Sequence, residues 1–210
     1  LYSSAASDVY KRQGISVAVG PNSSDVPVGT ELVVHTRALE VADAHILEEV
    51  KAKGIPLLSY PQVLKMISED KYTIAISGMH GKTTTTAMVS HMMKRRGLHP
   101  TTIVGSIMKD VGSNFLAGDS DYFIVEADEY RRSFLNLSPK VLVITNIDED
   151  HLDYYKDIDD IKDAFHELAM KVLADGVIIC NPDAPYVKDV IEGVQTEVVN
   201  YAHNLADIPS

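Results

Sequence analysis

Residues 72–86 read YTIAISGMHGKTTTT, and the expected fold of the chain follows from this stretch. The apolar run YTIAIS predicts a strand, GMHG a tight turn, and the residues from Lys82 a helix that continues to about residue 96. Strand, glycine-rich turn, Lys-Thr and helix in that order make a phosphate-binding loop. Gly78 and Gly81 let the backbone turn its N–H groups toward phosphate oxygens, and the helix N-terminus adds its positive end. Lys82 is placed to reach the β and γ phosphates of ATP, and Thr83 carries a hydroxyl where such loops hold Mg²⁺. The nucleotide-binding set expected here is Gly78, Met79, His80, Gly81, Lys82, Thr83 and Thr84. A strict G-x-x-x-x-G-K-[ST] pattern needs glycine at position 76, where Ile76 stands, so this is a shortened loop. An ordinary glycine turn capped by threonines is the plain alternative.

Outward from the loop, short β-branched runs alternate with helical patterns, which predicts an α/β fold with a mostly parallel sheet. Upstream, GISVAVG (14–20), ELVVHT (31–36) and IPLLSY (55–60) read as strands, with helices over 42–53 and 61–69. The polar segment 68–71 suggests a domain boundary near residue 70. Downstream, TTIVG (101–105), DYFIVEAD (121–128), VLVITNI (141–147), GVIICN (176–181) and TEVVNY (196–201) read as strands, with helices over 158–173 and 186–192. Residues 1–13, LYSSAASDVYKRQ, lack periodicity, and DVYKRQ resembles a translated library adaptor. They are expected to be an assembly artefact or a disordered terminus.

The net charge of −11 argues against nucleic acid or an anionic membrane as a partner. No apolar run approaches the ~20 residues that span a bilayer. Cys180 is the only cysteine, so no intrachain disulfide can form, and a cytoplasmic location is expected. Its place in the apolar run GVIIC reads as a buried core thiol.

In open α/β sheets, ligands gather at the carboxyl ends of the strands. Two runs end there in acidic groups: DYFIV leads into Glu126-Ala127-Asp128-Glu129, and VLVITNI into Asp148-Glu149-Asp150-His151. Glu126 is the candidate to share Mg²⁺ with Thr83, and His151 to serve a second metal or the γ-phosphate. Solvated acidic loops are the plain alternative for each. His35, His91 and His166 read as packing residues, and Lys94-Arg95-Arg96 as cations complementing a helix C-terminus.

Together GMHGKTTTT, EADEYRRSFL and TNIDEDHLDYY resemble the Mur ligases of peptidoglycan synthesis, over residues 14–210. The histidine before Gly-Lys and the EADE sequence resemble the type that joins L-alanine to UDP-N-acetylmuramate. The resemblance implies that residues 14–70 end a Rossmann-like UDP-binding domain and that residues 71–210 begin a central ATP-binding domain. It implies that Lys82 contacts ATP, that Thr83 and Glu126 hold one Mg²⁺, and that His151 contacts a second. Lys82 and His151 are then the catalytic pair, and Asp128, Glu129 and Ser133 are candidates for the muramate substrate. The implied reaction passes through an acyl phosphate that L-alanine converts to an amide. Arg131 stands where the family usually has aspartate, and the family's glycine-rich UDP loop and third domain are missing. The chain is therefore expected to be a fragment without ligase activity of its own. A recycling ligase that attaches a peptide, a folylpolyglutamate or cyanophycin synthetase, and a non-catalytic P-loop regulator are the competing expectations.

Overall fold

The computed structural model describes residues 16–17, 22–108 and 111–201. The expected strand at 14–20 lies almost wholly outside the described residues, as do residues 1–13 and the terminal AHNLADIPS. The chain divides into two compact units, Leu1–Leu64 and Lys65–Ser210. The division falls inside a helix, slightly before the polar segment at 68–71, because that helix continues through Asp70.

In the first unit, strands β1 (Val33–His35) and β2 (Leu57–Ser59) pair in parallel. Helices α1 (Arg37–Ala42) and α2 (Ala44–Ala52) connect them. The single helix expected over 42–53 is thus two. Asp43 leaves helical geometry at φ −143°, ψ 45°, so its N–H closes α1 on the Leu39 carbonyl while its own carbonyl accepts from Ile46. Ile46 and Val50, one turn apart on α2, are buried, as the helical repeat requires. Helix α3 (Tyr60–Asp70) follows β2 and carries the chain into the second unit.

The second unit is a seven-stranded sheet. Its strands are β3 (Tyr72–Ser77), β4 (Thr101–Met108), β5 (Ser113–Leu116), β6 (Tyr122–Glu126), β7 (Val141–Ile144), β8 (Val177–Cys180) and β9 (Glu197–Asn200). Their order is β5-β4-β6-β3-β7-β8-β9. All neighbours are parallel except β4 and β5. Sequence reading missed β5, a four-residue strand too short to show a clear alternation.

Helix α4 (Lys82–Arg95) follows β3, α5 (Ile158–Met170) precedes β8, and α6 (Val187–Val190) precedes β9. Both α5 and α6 end earlier than their patterns suggested. Asp157 caps α5, its carboxylate accepting from the Asp160 N–H at 2.9 Å, which satisfies one of the donors left open at a helix start. Ile161, Phe165 and Leu168 of α5 and Phe123, Ile124, Leu142 and Ile178 of the sheet are fully buried. Phe165 meets Phe134 edge-to-face at 5.2 Å. Cys180 is buried, and the cost of desolvating a thiolate pushes its pKa up to about 11, as suits an unreactive core thiol.

The strand order decides where chemistry is placed. β3, which feeds the glycine loop, lies between β6 and β7, the two strands that carry the acidic runs. Parallel pairing brings all three C-terminal ends to one edge of the sheet.

Candidate nucleotide-binding site

The glycine loop is held by the segment after β7. The Met79 N–H donates to the Asn146 carbonyl, and the His80 N–H to Asn146 Oδ1 at 2.9 Å. The His80 carbonyl accepts from Thr145 Oγ1 at 2.7 Å and Asn146 Nδ2 at 2.9 Å. Gly78 has φ +129°, and a Cβ there would stand 2.0 Å from Thr145 Oγ1. Only glycine fits both the backbone and that close approach. Gly81 begins α4 at φ +82° with no side-chain cap, which leaves the first-turn N–H groups to face the loop mouth.

Lys82 turns back over the loop. Its ammonium donates to the Gly78 carbonyl at 2.7 Å, the Met79 carbonyl at 3.1 Å and Glu129 Oε1 at 3.0 Å. Thr83, the next residue, points toward β6 instead: its hydroxyl donates to Glu126 Oε1 at 2.9 Å. Glu126 Oε2 accepts from the Gly105 N–H at 2.6 Å. A Cβ at Gly105 would lie 2.9 Å from that carboxylate, so glycine lets the strand backbone approach it. Thr83 and Glu126 form a pair of hard oxygen donors. Among the described residues no cluster of three or more His, Cys, Asp or Glu is arranged for a metal. Two protein oxygens nevertheless fit Mg²⁺, which fills its remaining positions with water and phosphate oxygens.

Glu129 is buried at 1% exposure. Besides Lys82, its Oε1 lies 3.2 Å from His151 Nε2. The Tyr155 hydroxyl donates to the Glu129 carbonyl at 2.5 Å. Burial raises the Tyr155 pKa well above its usual value, so this hydroxyl stays a donor. His151 adopts φ +53°, and its ring packs 5.2 Å from Tyr130.

The expected site residues separate accordingly. Lys82, Thr83, Glu126 and His151 converge on the loop, together with Glu129. Glu129 was expected among the substrate groups, but it is sealed against Lys82 and His151. Asp128 and Ser133 bond mainly within their own turn: Ser133 Oγ donates to the Asp128 carbonyl at 2.8 Å, and the Tyr130 N–H to Asp128 Oδ1 at 3.2 Å. Thr84 is exposed in the first turn of α4. Thr145, Asn146, Gly105 and Tyr155 take part in building the site without having been singled out from sequence. Their partners lie 21 to 68 residues away, so no local spacing marks them.

Residues 76–207, more than half of the chain, match the family described as the Mur ligase middle domain. The chain belongs to the Mur ligase family. Among curated relatives, UDP-N-acetylmuramate–L-alanine ligases of Caldicellulosiruptor bescii and Agathobacter rectalis are 39% and 38% identical over 93% and 90% of this chain. The chain spans 43% and 41% of the lengths of those relatives. Among solved structures, a UDP-N-acetylmuramate:L-alanyl-γ-D-glutamyl-meso-diaminopimelate ligase from Neisseria meningitides superposes with a TM-score of 0.79 at 25% identity. That match covers 95% of this chain and 67% of the other. The UDP-N-acetylmuramate–alanine ligase of Thermotoga maritima gives 0.71 at 26% identity, covering 87% of this chain and 42% of the other. The Mur ligase α/β fold of the second unit therefore stands. No helix among the described residues is long and apolar enough to cross a membrane.

Proposed function

We propose that the chain is the ATP-binding portion of a ligase that joins L-alanine to UDP-N-acetylmuramate. The observation that carries this reading is the glycine loop with Lys82 folded over it and the Thr83–Glu126 oxygen pair beside it. The likeness to alanine-adding relatives at 39% identity supplies the substrate class. Residues 71–210 are read as part of the ATP-binding domain, and residues 14–70 as the end of the UDP-binding domain.

In this reading Gly78 to Thr84 cradle the phosphates with backbone N–H groups, and Lys82 neutralises charge on the β and γ phosphates. Thr83 and Glu126 would hold Mg²⁺, which supplies further charge neutralisation when bound. His151 stands at the far side of the cluster, where it would meet a second cation or the γ-phosphate. In the reaction, a carboxylate oxygen of the substrate bonds the γ-phosphorus as the bond to ADP breaks. The amine of L-alanine then bonds the activated carbonyl carbon, phosphate leaves, and the amine loses a proton. The chain's contribution is positioning and electrostatic stabilisation.

The test is Lys82→Ala in the full reading frame. ADP release that depends on both UDP-N-acetylmuramate and L-alanine is expected to fall about 1,000-fold, the order found when preorganised charge stabilisation is removed. Unchanged product formation would reject the assignment. The Neisseria peptide-ligase structure, with its TM-score of 0.79, supports a second reading in which a peptide replaces L-alanine. Offering L-alanine and a tripeptide as competing acceptors separates the two.

A further inference from the structure

We propose that Glu129 is a positioning residue that latches Lys82 in the nucleotide-free site and ties it to His151, rather than a contact to the muramate substrate. The proposal rests on the ATP-site reading above.

An ammonium has three N–H donors, and those of Lys82 are all engaged, by the Gly78 carbonyl, the Met79 carbonyl and Glu129 Oε1. Glu129 Oε2 is also buried and lies 2.9 Å from the same ammonium, so both carboxylate oxygens face Lys82. A phosphate oxygen can therefore reach Lys82 only by displacing one of these partners. The two carbonyls belong to the loop that must keep its shape, which leaves Glu129 as the partner to exchange.

The backbone that carries this carboxylate is anchored: the Glu129 carbonyl accepts from the Tyr155 hydroxyl and from the Arg132 N–H at 2.9 Å. The side chain is 1% exposed, so the charge is not relaxed by water. Glu129 thus opposes arrival of a polyanion at close range, while its contact with His151 at 3.2 Å fixes that ring relative to the phosphate loop. A residue with both properties weakens nucleotide binding and improves alignment, two effects that an experiment can separate. A substrate contact would do neither, because the carboxylate is closed off from the exposed turn that carries Asp128.

The experiment compares Glu129→Gln and Glu129→Asp with the unaltered protein in the full reading frame. Glu129→Gln keeps the shape and removes the charge. It is expected to tighten Mg·ATP binding about threefold or more and to lower kcat about tenfold, while the KM for UDP-N-acetylmuramate stays within about twofold. Glu129→Asp retains the charge and is expected to leave ATP affinity within about twofold. The ¹⁵N resonances of the His151 ring, recorded without nucleotide, are expected to move in Glu129→Gln. Weaker ATP binding in Glu129→Gln, a change confined to the muramate KM, or His151 resonances that do not move would each overturn the proposal. Should Glu129→Gln fail to fold, Tyr155→Phe loosens the latch with the charge intact. It is expected to lower kcat in the same direction, and an unchanged kcat would then count against the latch. An unaltered protein that binds no ATP defeats the functional reading, whereas the His151 resonances still judge the Glu129 bridge.

Discussion

Two ion pairs start within four residues of each other in the turn after β6 and meet opposite environments. Glu129 points inward to Lys82, with side-chain exposures of 1% and 13%. Arg132 points toward α5, bonding Asp160 at 2.6 Å and lying 3.9 Å from Glu167, with its guanidinium over the Tyr155 ring at 5.8 Å. Arg132 and Asp160 are each about a quarter exposed, at 28% and 25%. The first pair sits at the glycine loop, and the second fastens the turn to a helix. Burial decides how much each is worth. Removing one partner of a buried pair strands a charge, whereas water compensates much of the loss at the surface.

The largest expected contrast comes from Glu129→Ala. It strands the Lys82 ammonium against two carbonyls and is expected to cost about 3 kcal/mol of stability in urea unfolding. A loss below that of Arg132→Ala would break the comparison. Arg132→Ala is expected to cost about 0.5–1 kcal/mol, with ATP affinity unchanged. A clear drop in ATP affinity in Arg132→Ala would show the two pairs to be one unit.

The smallest effect is acid sensitivity of the Asp160 contacts. The Lys156 backbone N–H, and next the Arg132 guanidinium, hold the Asp160 carboxyl below its ordinary value of 3.8. A depressed carboxyl pKa stabilises the folded state fully above the ordinary value, and that contribution is lost as pH falls through the folded-state value. The urea midpoint difference between the unaltered protein and Asp160→Asn is therefore expected to be constant near neutrality and to shrink below about pH 4. A difference that persists unchanged to about pH 2 would remove Asp160 ionisation from the account.

The positive-φ geometry of Arg131 and Arg132, at +52° and +55°, accounts for the divergence of the two pairs. These residues lie in the left-handed region that non-glycine residues seldom occupy, and they turn the chain sharply just after Glu129. Neither residue type announces such a conformation. The family resemblance grouped Glu129 with Asp128 and Ser133 as candidates for the muramate substrate. In the folded protein Asp128 is exposed and Glu129 is buried.

Sequence alone determined the α/β class, the glycine loop between strand and helix, and the residue types Lys82, Thr83, Glu126 and His151 as a candidate set. Those features are written in local patterns: apolar runs, glycine spacing and charged ends of strands. Tertiary structure alone decided that β3 lies between β6 and β7, that β5 adds an antiparallel edge, that Asp43 divides one expected helix into two, and that Thr145 and Asn146 clamp the loop. Strand neighbours are chosen by hydrogen bonding and burial across tens of residues. The direction of a side chain in an irregular turn is set by backbone angles that composition does not encode. For the same reason the sequence could nominate Glu129 as functional but not say that it faces Lys82.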